Sequence, residues 1–407
     1  MTHALAWRWR HPMPAYSPLS ADAILAGVRA ASGITAPGVA EEHLVSLVED
    51  RYAPRSMLFT DSGTSALSAA LIGVLLSRPR ATVAAPAFAC YDVATALNAA
   101  GANVVLYDID PRTLAPDLDS LRGAMRGDVA AVVLVTLYGH PVDAVPVLEL
   151  AKERGAIVIE DAAQSAGAVY LGRPVGTQGS LGVLSYGRGK GLTGGGGGAL
   201  LANDAAGERV LAHARTLFGR SRRGWKELLG ATAQWILARP GLYALPDALP
   251  FMKLGETIYR VPRPPHAMPR ACAAVTVASW GLADRELKRR RENAMRLLTA
   301  VGTRAHLVPM QVPLSGRPGH LRLPLLASPD VRGRAVSRVA RRLGIMPGYP
   351  LSLADLGPLA ARVLNGGAHF PGARLLAAQL VTLPTHGRLR DDDLLRLEEW
   401  IRESGVR

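Results

Sequence analysis

The chain has 407 residues, 49% of them hydrophobic and 20% charged, and a formal net charge of +14. These values describe a globular protein with a sizeable core and exclude a disordered chain. The two cysteines, Cys90 and Cys272, exclude a disulfide framework and offer no metal-ligand spacing, so a reducing compartment is expected.

In chain order, the first stretch, MTHALAWRWRHPMP, has no apolar core suited to a signal peptide. No stretch approaches the roughly 18–20 uninterrupted apolar residues of a membrane span, so a cytoplasmic protein is expected. From residue 55 to 217, short apolar runs alternate with helical patterns. Strands are predicted at SMLFT (56–60), ATVAAP (81–86), NVVLYDI (103–109), VAAVVLVTL (129–137), AIVIED (156–161), GVLSY (182–186) and GALLA (198–202). Helices are predicted between the first five of them, at 65–77, 90–100, 115–125 and 143–155. Continuous β-branched runs between helices imply strands buried on both faces, hence a mostly parallel α/β sheet.

Residues 220–268 are proline-rich and apolar without a clear period. A long helix is predicted over 269–301. Beyond it come a strand at 320–326, a helix at 332–344, a strand at 378–384 and a closing helix at 390–403. The expected organisation is a large α/β domain over 1–265, with an apolar insertion near 221–265, and a smaller C-terminal α+β domain over 266–407.

The positive charge favours an anionic partner. Its densest run, LKRRREN at 287–293, falls in a helical pattern and reads as a solvated face. No nucleic-acid motif accompanies it, so no nucleic acid is expected.

Ligands of open α/β sheets bind at the carboxyl ends of the strands. Three segments fall there. In TDSGTSAL, Gly63, Thr64 and Ser65 open a helix, which either binds a phosphate or is simply capped. In IEDAAQSAGA, Asp161 ends a buried strand and needs a cationic partner, unless it caps a helix. In SYGRGKGLTGGGGG, Ser185 ends a strand and Lys190 follows. Lys190 is one of five lysines in the chain, and it suits either a phosphate ligand or a Schiff-base amine. A Walker loop does not fit, because Lys190 precedes the glycines and Gly191 follows it. The strand-like GALLAND after the glycines also disfavours a dinucleotide fingerprint. Amine, carboxylate and helix start together match pyridoxal phosphate. The glycines would let backbone pass close to cofactor and substrate.

The segments SGTSAL (62–67), APAFACYDVATALNAAGANVVLYDIDPRTL (85–114), TLYGHPVD (136–143), AKERGAIVIEDAAQSAGA (151–168), GSLGVLSYGRGKGLTGGGGG (179–198) and TLPTH (382–386) resemble the DegT-type sugar aminotransferases of fold-type I. The resemblance covers roughly 50–215 and 268–400. It implies a mostly parallel seven-stranded sheet and pyridoxal 5'-phosphate as cofactor. It also implies a Schiff base at Lys190, a pyridinium partner in Asp161, and a phenolic-oxygen contact from Gln164. Gly63, Thr64, Ser65 and Ser185 would cradle the phosphate, and Cys90 or Tyr91 would cover the ring. The implied reaction moves an amino group, usually from glutamate, to a nucleotide- or lipid-linked keto sugar in a homodimer. His140, Arg188, Gly196 and His386 are candidate substrate contacts.

Three positions depart from the family's habit. Gly196 stands where an acid is common, Met268 where an asparagine reaches a neighbouring cofactor phosphate, and Ala166 where a histidine is common. They leave dehydration or another carbanion reaction on a related substrate, or a non-catalytic sensor or scaffold role, as alternatives to amine transfer. The apolar segment 224–259, interrupted by Pro240, Pro246 and Pro250, is expected to cover the active site or a dimer interface. Peripheral contact with the inner membrane face or a lipid-linked substrate is its alternative.

Overall fold

The computed structural model describes residues 12–79, 81–238 and 257–404. Two helices, α1 (Ala21–Ser32) and α2 (Val39–Tyr52), precede the first strand. The prediction assigned no elements before residue 55. The inward face of α1 is made of small residues, Ala23, Gly27, Ala30 and Ala31. They allow a close approach, since a Cβ on Gly27 would stand 2.7 Å from Leu228 Cδ1 and 2.8 Å from Val275 Cγ2.

The main sheet comprises β1 (Ser56–Thr60), β2 (Thr82–Pro86), β3 (Asn103–Tyr107), β4 (Val129–Val135), β5 (Ile157–Asp161), β8 (Leu181–Ser185) and β9 (Gly198–Ala202). Between β5 and β8 lie the two-residue strands β6 (Val169–Tyr170) and β7 (Arg173–Pro174). The order is β1-β9-β8-β5-β4-β2-β3. Only β9 runs antiparallel to its neighbours, so the expected seven-stranded, mostly parallel sheet is present. Every residue of β4 is buried, which explains its unbroken apolar run. Burial of side chains such as Val132 and Leu134 stabilises by about 1.5–3 kcal/mol each, before entropy is subtracted.

Between the strands run α3 (Gly63–Ser77), α4 (Tyr91–Ala99), α5 (Leu118–Ala124), α6 (Val145–Glu153) and α7 (Ala205–Arg215). Ser62 caps α3 by accepting Ser65 N–H at 3.1 Å. This helix is apolar nearly all round and packs beneath the sheet.

Within the irregular 220–268 region, Trp225–Leu237 forms a helix, α8. Its inner residues Leu228 and Ala231 are buried, and Trp225, Leu229 and Ile236 face outward. The expectation for 239–256, including its three prolines, lies outside the described residues. The predicted long helix is α9 (Arg270–Val301). It packs Cys272, Ala273 and Ala274 against the core under β8 and β9, and Leu297 and Val301 into a second core.

That second core surrounds an antiparallel sheet of β10 (Leu307–Pro309), β12 (Leu323–Ala327), β13 (Met346–Pro347) and β14 (Leu380–Leu383), in the order β10-β12-β14-β13. Strand β11 (Gly316–Arg317) joins β6 and β7 in a separate small sheet. The helix predicted over 332–344 is two short ones, α10 (Pro329–Ala335) and α11 (Arg338–Arg342). Ser337 interrupts it by accepting Ala340 N–H at 3.2 Å and starting a new helix. Next come α12 (Gly357–Ala360), α13 (Pro371–Gln379) and the closing α14 (Asp391–Glu403). No helix among the described residues is long and apolar enough to cross a membrane.

Candidate active site

The strand order reverses between β2 and β4, and the carboxyl edge there holds the site. Parallel pairing sets Val135 beside Asp161 and Asp161 beside Val183. Thr136 donates to Asp161 O from its N–H at 3.1 Å and its hydroxyl at 3.0 Å. Ser165 donates to Thr136 Oγ1 at 2.6 Å. The end of β5 is thereby fixed from both sides.

A pocket at this edge is lined by Gly63, Thr64, Cys90, Asp161, Gln164, Ser185 and Lys190, joined by Leu67, Asp92, Val93, Val135, Thr136 and Ala163. The N–H groups of Gly63 and Thr64 belong to the first turn of α3, where no intrahelical acceptor exists. With the helix dipole behind them and the Ser185 hydroxyl opposite, they suit a phosphate.

Lys190 sits in the excursion between antiparallel β8 and β9, whose base is the Ser185–Gly198 pair. Tyr186 N–H donates to Gly197 O at 2.8 Å, and Gly194 N–H to Tyr186 O at 2.9 Å, so the loop is folded back on itself. The glycines after Lys190 do not line the pocket. They pack against the protein. A Cβ on Gly195 would stand 2.6 Å from Ala231 Cβ, and one on Gly197 2.6 Å from Met268 Cε. The expected backbone approach is therefore made toward α8 and Met268. Beside Gly196 lie Cys272 Sγ and Glu227 Cγ, at 3.4 and 3.5 Å from a Cβ position. An acid from α8 thus borders the glycine that the sequence leaves bare.

Asp161 is 8% exposed. Burial raises its carboxyl pKa, while the hydrogen bond from Ala163 N–H and the nearby Lys190 pull it back. A cation beside it would reverse the penalty. Gln164 is held by two tyrosines: its Oε1 accepts Tyr138 N–H at 3.2 Å, and its Nε2 donates to Tyr349 Oη at 2.7 Å. Tyr138 and Tyr349 stack at 5.9 Å. Burial pushes the Cys90 thiol up to about 11, so at neutral pH it is a packing surface, not a nucleophile. A phosphate, an aldehyde and a protonatable ring nitrogen would all find partners here, and pyridoxal phosphate fits this donor set.

The remaining candidates lie elsewhere. Ser65 is turned to Ser62, with their hydroxyls 3.0 Å apart. Tyr91 points into the core, its hydroxyl accepting Leu351 N–H at 2.9 Å, so Cys90 borders the pocket instead. His140 is buried with Nε2 3.0 Å from Gln311 O, and His386 with Nε2 2.7 Å from Met13 O. Burial lowers both pKa values to about 4. Arg188 is exposed on the turn before Lys190. Met268 is buried under Gly197. The sequence reading missed Thr136 and Asp92. The strand-end argument that selects Asp161 also selects Thr136, one residue past β4. Asp92, in the first turn of α4, carries no comparable signal.

The sequence profile of the DegT/DnrJ/EryC1/StrS aminotransferase family matches residues 40–402. GDP-perosamine synthase of Caulobacter vibrioides is 34% identical over 174 residues, 42% of this chain and 46% of that protein. L-glutamine:2-deoxy-scyllo-inosose aminotransferase of Streptomyces kanamyceticus is 39% identical over 125 residues, 30% of this chain and 29% of that protein. The chain spans less than half the length of each of these relatives. Among solved structures, the sugar aminotransferase CalS13 from Micromonospora echinospora superimposes with TM-score 0.75 at 21% identity, over 96% of this chain and 99% of that one. GDP-4-keto-6-deoxy-D-mannose-3-dehydratase of E coli, with bound hydrated PLP, gives 0.73 at 18%, over 96% and 100%. At such identities the likeness establishes the fold, which a transferase and a dehydratase share.

Proposed function

The chain belongs to the DegT/DnrJ/EryC1/StrS aminotransferase family, and from its site we propose that it moves an amino group from an amino-acid donor to a keto sugar. The observation that carries this reading is the convergence of Lys190, Asp161 and the start of α3 on one pocket. Pyridoxal phosphate, when bound, supplies a carbonyl and a ring that accepts electrons. The Gly63 and Thr64 N–H groups and the Ser185 hydroxyl bind its phosphate. Asp161 would hold a proton on the ring nitrogen, and the hydrogen bonds from Thr136 and Ala163 keep Asp161 in position. Lys190 Nζ would be the amine that holds the carbonyl, and as a free amine it would take up and return a proton beside it. Cys90, on the pocket wall, would help exclude water from the ring.

The donor is glutamate, and the acceptor is a nucleotide- or lipid-linked keto sugar in the making of an envelope polysaccharide, glycolipid or secondary metabolite. The working form is a cytoplasmic homodimer. The outward apolar residues of α8 meet the partner subunit or a lipid-linked acceptor. Lys190 favours amine transfer over dehydration, because a transferase needs the amine both to anchor the carbonyl and to move the proton. Incubation with L-glutamate and a panel of nucleotide-linked keto sugars, read by mass spectrometry, tests this. Amino-sugar and 2-oxoglutarate formation that Lys190→Ala abolishes is expected. Loss of water without gain of nitrogen points to the dehydratase reading, and no turnover at all to a scaffold.

A further inference from the structure

The outer face of α8 carries a row of large apolar side chains. Trp225, Leu229 and Ile236 are 45%, 71% and 43% exposed. At 3.6 residues per turn they fall within about 40° of one another around the helix, so they form one stripe. The inner face is fixed to the protein, with Leu228 and Ala231 buried among Ala23, Ala271 and Val275. Single exposed apolar residues are ordinary, whereas a contiguous row of three marks a surface that meets something.

The charge beside the stripe has one sign. From residue 220 to 237 the chain has four cations, Arg220, Arg222, Arg223 and Lys226, and one acid, Glu227. All four cations are exposed. Among the described residues, only Arg222 of the four is ion-paired, with Asp61 at 3.8 Å and Glu227 at 3.7 Å. The cations stand at the Trp225 end of the stripe, where the helix N-terminus adds its own positive pole.

We propose that this face of α8 seats the protein on an anionic lipid bilayer. Trp225, Leu229 and Ile236 enter the headgroup boundary, and Arg220, Arg223 and Lys226 meet lipid phosphates. Charge decides the occupant. A second copy docking here through a two-fold axis would bring the same unpaired cations to the contact, in a chain of net charge +14. An anionic bilayer neutralises those cations, takes up the apolar stripe and offers Trp225 the boundary that tryptophan favours. The helix lies on the bilayer and does not cross it, because its inner face is already packed. The surface does not depend on the reaction proposed above. On that reaction, however, it bears directly. The inner side of α8 meets the glycine run after Lys190, Ala231 at Gly195 and Glu227 at Gly196. The run would thus stand about 10 Å, one helix diameter, from the lipid, within reach of a lipid-linked acceptor.

The test is co-sedimentation of the pyridoxal-phosphate-loaded full chain with vesicles of phosphatidylcholine alone, or of phosphatidylcholine and phosphatidylglycerol in equal parts. The wild type is expected to bind the mixed vesicles and not the neutral ones, and to weaken as salt rises from about 0.1 to 1 M. Leu229→Ser should weaken binding about tenfold or more. Arg223→Gln and Lys226→Gln should weaken it about fivefold each. Leu314→Ser, which removes a 94% exposed leucine outside α8, should bind like the wild type. Melting curves report whether each variant folds, and if Leu229→Ser does not, the two charge variants decide. A wild type that ignores the mixed vesicles, or binds neutral ones equally well, overturns the proposal. So does an affinity within about twofold of wild type in Leu229→Ser and both charge variants. Equilibrium sedimentation without vesicles covers the rival occupant: if Leu229→Ser turns a wild-type dimer into monomers, α8 faces a second copy and the proposal falls. A wild type that binds vesicles yet aminates no keto sugar would sink the proposed reaction and leave the surface standing.

Discussion

Gly63 and Ser185 meet so closely that a Cβ on Gly63 would stand 2.7 Å from the Cβ of Ser185. This contact brings the first turn of α3 against the end of β8, the two ends to which the proposed function assigns the phosphate. Gly63→Ala must push them apart. Overpacking of this kind costs about 1–3 kcal/mol and shifts the first-turn N–H groups from their target. The variant is expected to unfold at lower temperature and to bind pyridoxal phosphate about tenfold or more weakly, as read by absorbance titration.

Asp161 should cost the empty protein stability. Burial holds its carboxyl pKa above the usual value, so the folded state disfavours the ionised form at neutral pH. Asp161→Asn removes that penalty and keeps an oxygen for Ala163 N–H. Without cofactor, the variant is expected to melt higher than wild type at pH 7, while its affinity for pyridoxal phosphate falls. Because the folded pKa is raised, acidification protonates the wild-type carboxyl and stabilises it, so the gap should close as pH falls. Calorimetry across a pH series checks both signs.

The buried histidines predict the opposite slope. His140 and His386 stay neutral in the fold down to about pH 4, whereas an unfolded chain protonates them near 6.5. Between those values the unfolded state binds more protons, so this part of the stability is lost as pH drops through the window. A shallower fall of melting temperature from pH 7 to 4.5 is expected for His386→Gln, which can still donate a hydrogen bond to Met13 O.

The glycine run separates structural from cofactor effects. Gly195 has φ +76°, and a Cβ there would meet Ala231 Cβ at 2.6 Å. Gly195→Ala should lose about 1–3 kcal/mol of stability from the left-handed backbone and the clash together. Its affinity for pyridoxal phosphate should change less than that of Gly63→Ala, because Gly195 does not border the pocket. Denaturant melts and absorbance titrations on the two variants make the comparison.

The sheet was legible because its strands are buried on both faces, as in VAAVVLV, and alternate with helices at readable intervals. That Lys190, Asp161 and the start of α3 meet at one pocket was legible because strand ends are where such folds put ligands; the family resemblance supplies the roles proposed for them. Other features follow from tertiary packing. The small inward face of α1 and the thirteen residues of α8 take their meaning from contact with α9. The five glycines invited a reading about ligands, yet what crowds them is Ala231, Met268 and the backbone of α9. Arg290 looked like one more charge on a basic helix until its burial became visible.

The most direct test of the central claim is borohydride reduction of the protein incubated with pyridoxal phosphate, followed by peptide mapping. Lys190 in the pocket with Asp161 predicts a yellow protein whose colour is lost on reduction. It also predicts a single phosphopyridoxyl adduct on the peptide containing Lys190, absent in Lys190→Arg. A protein that stays colourless and takes up no pyridoxal phosphate, or an adduct confined to other lysines, would contradict it.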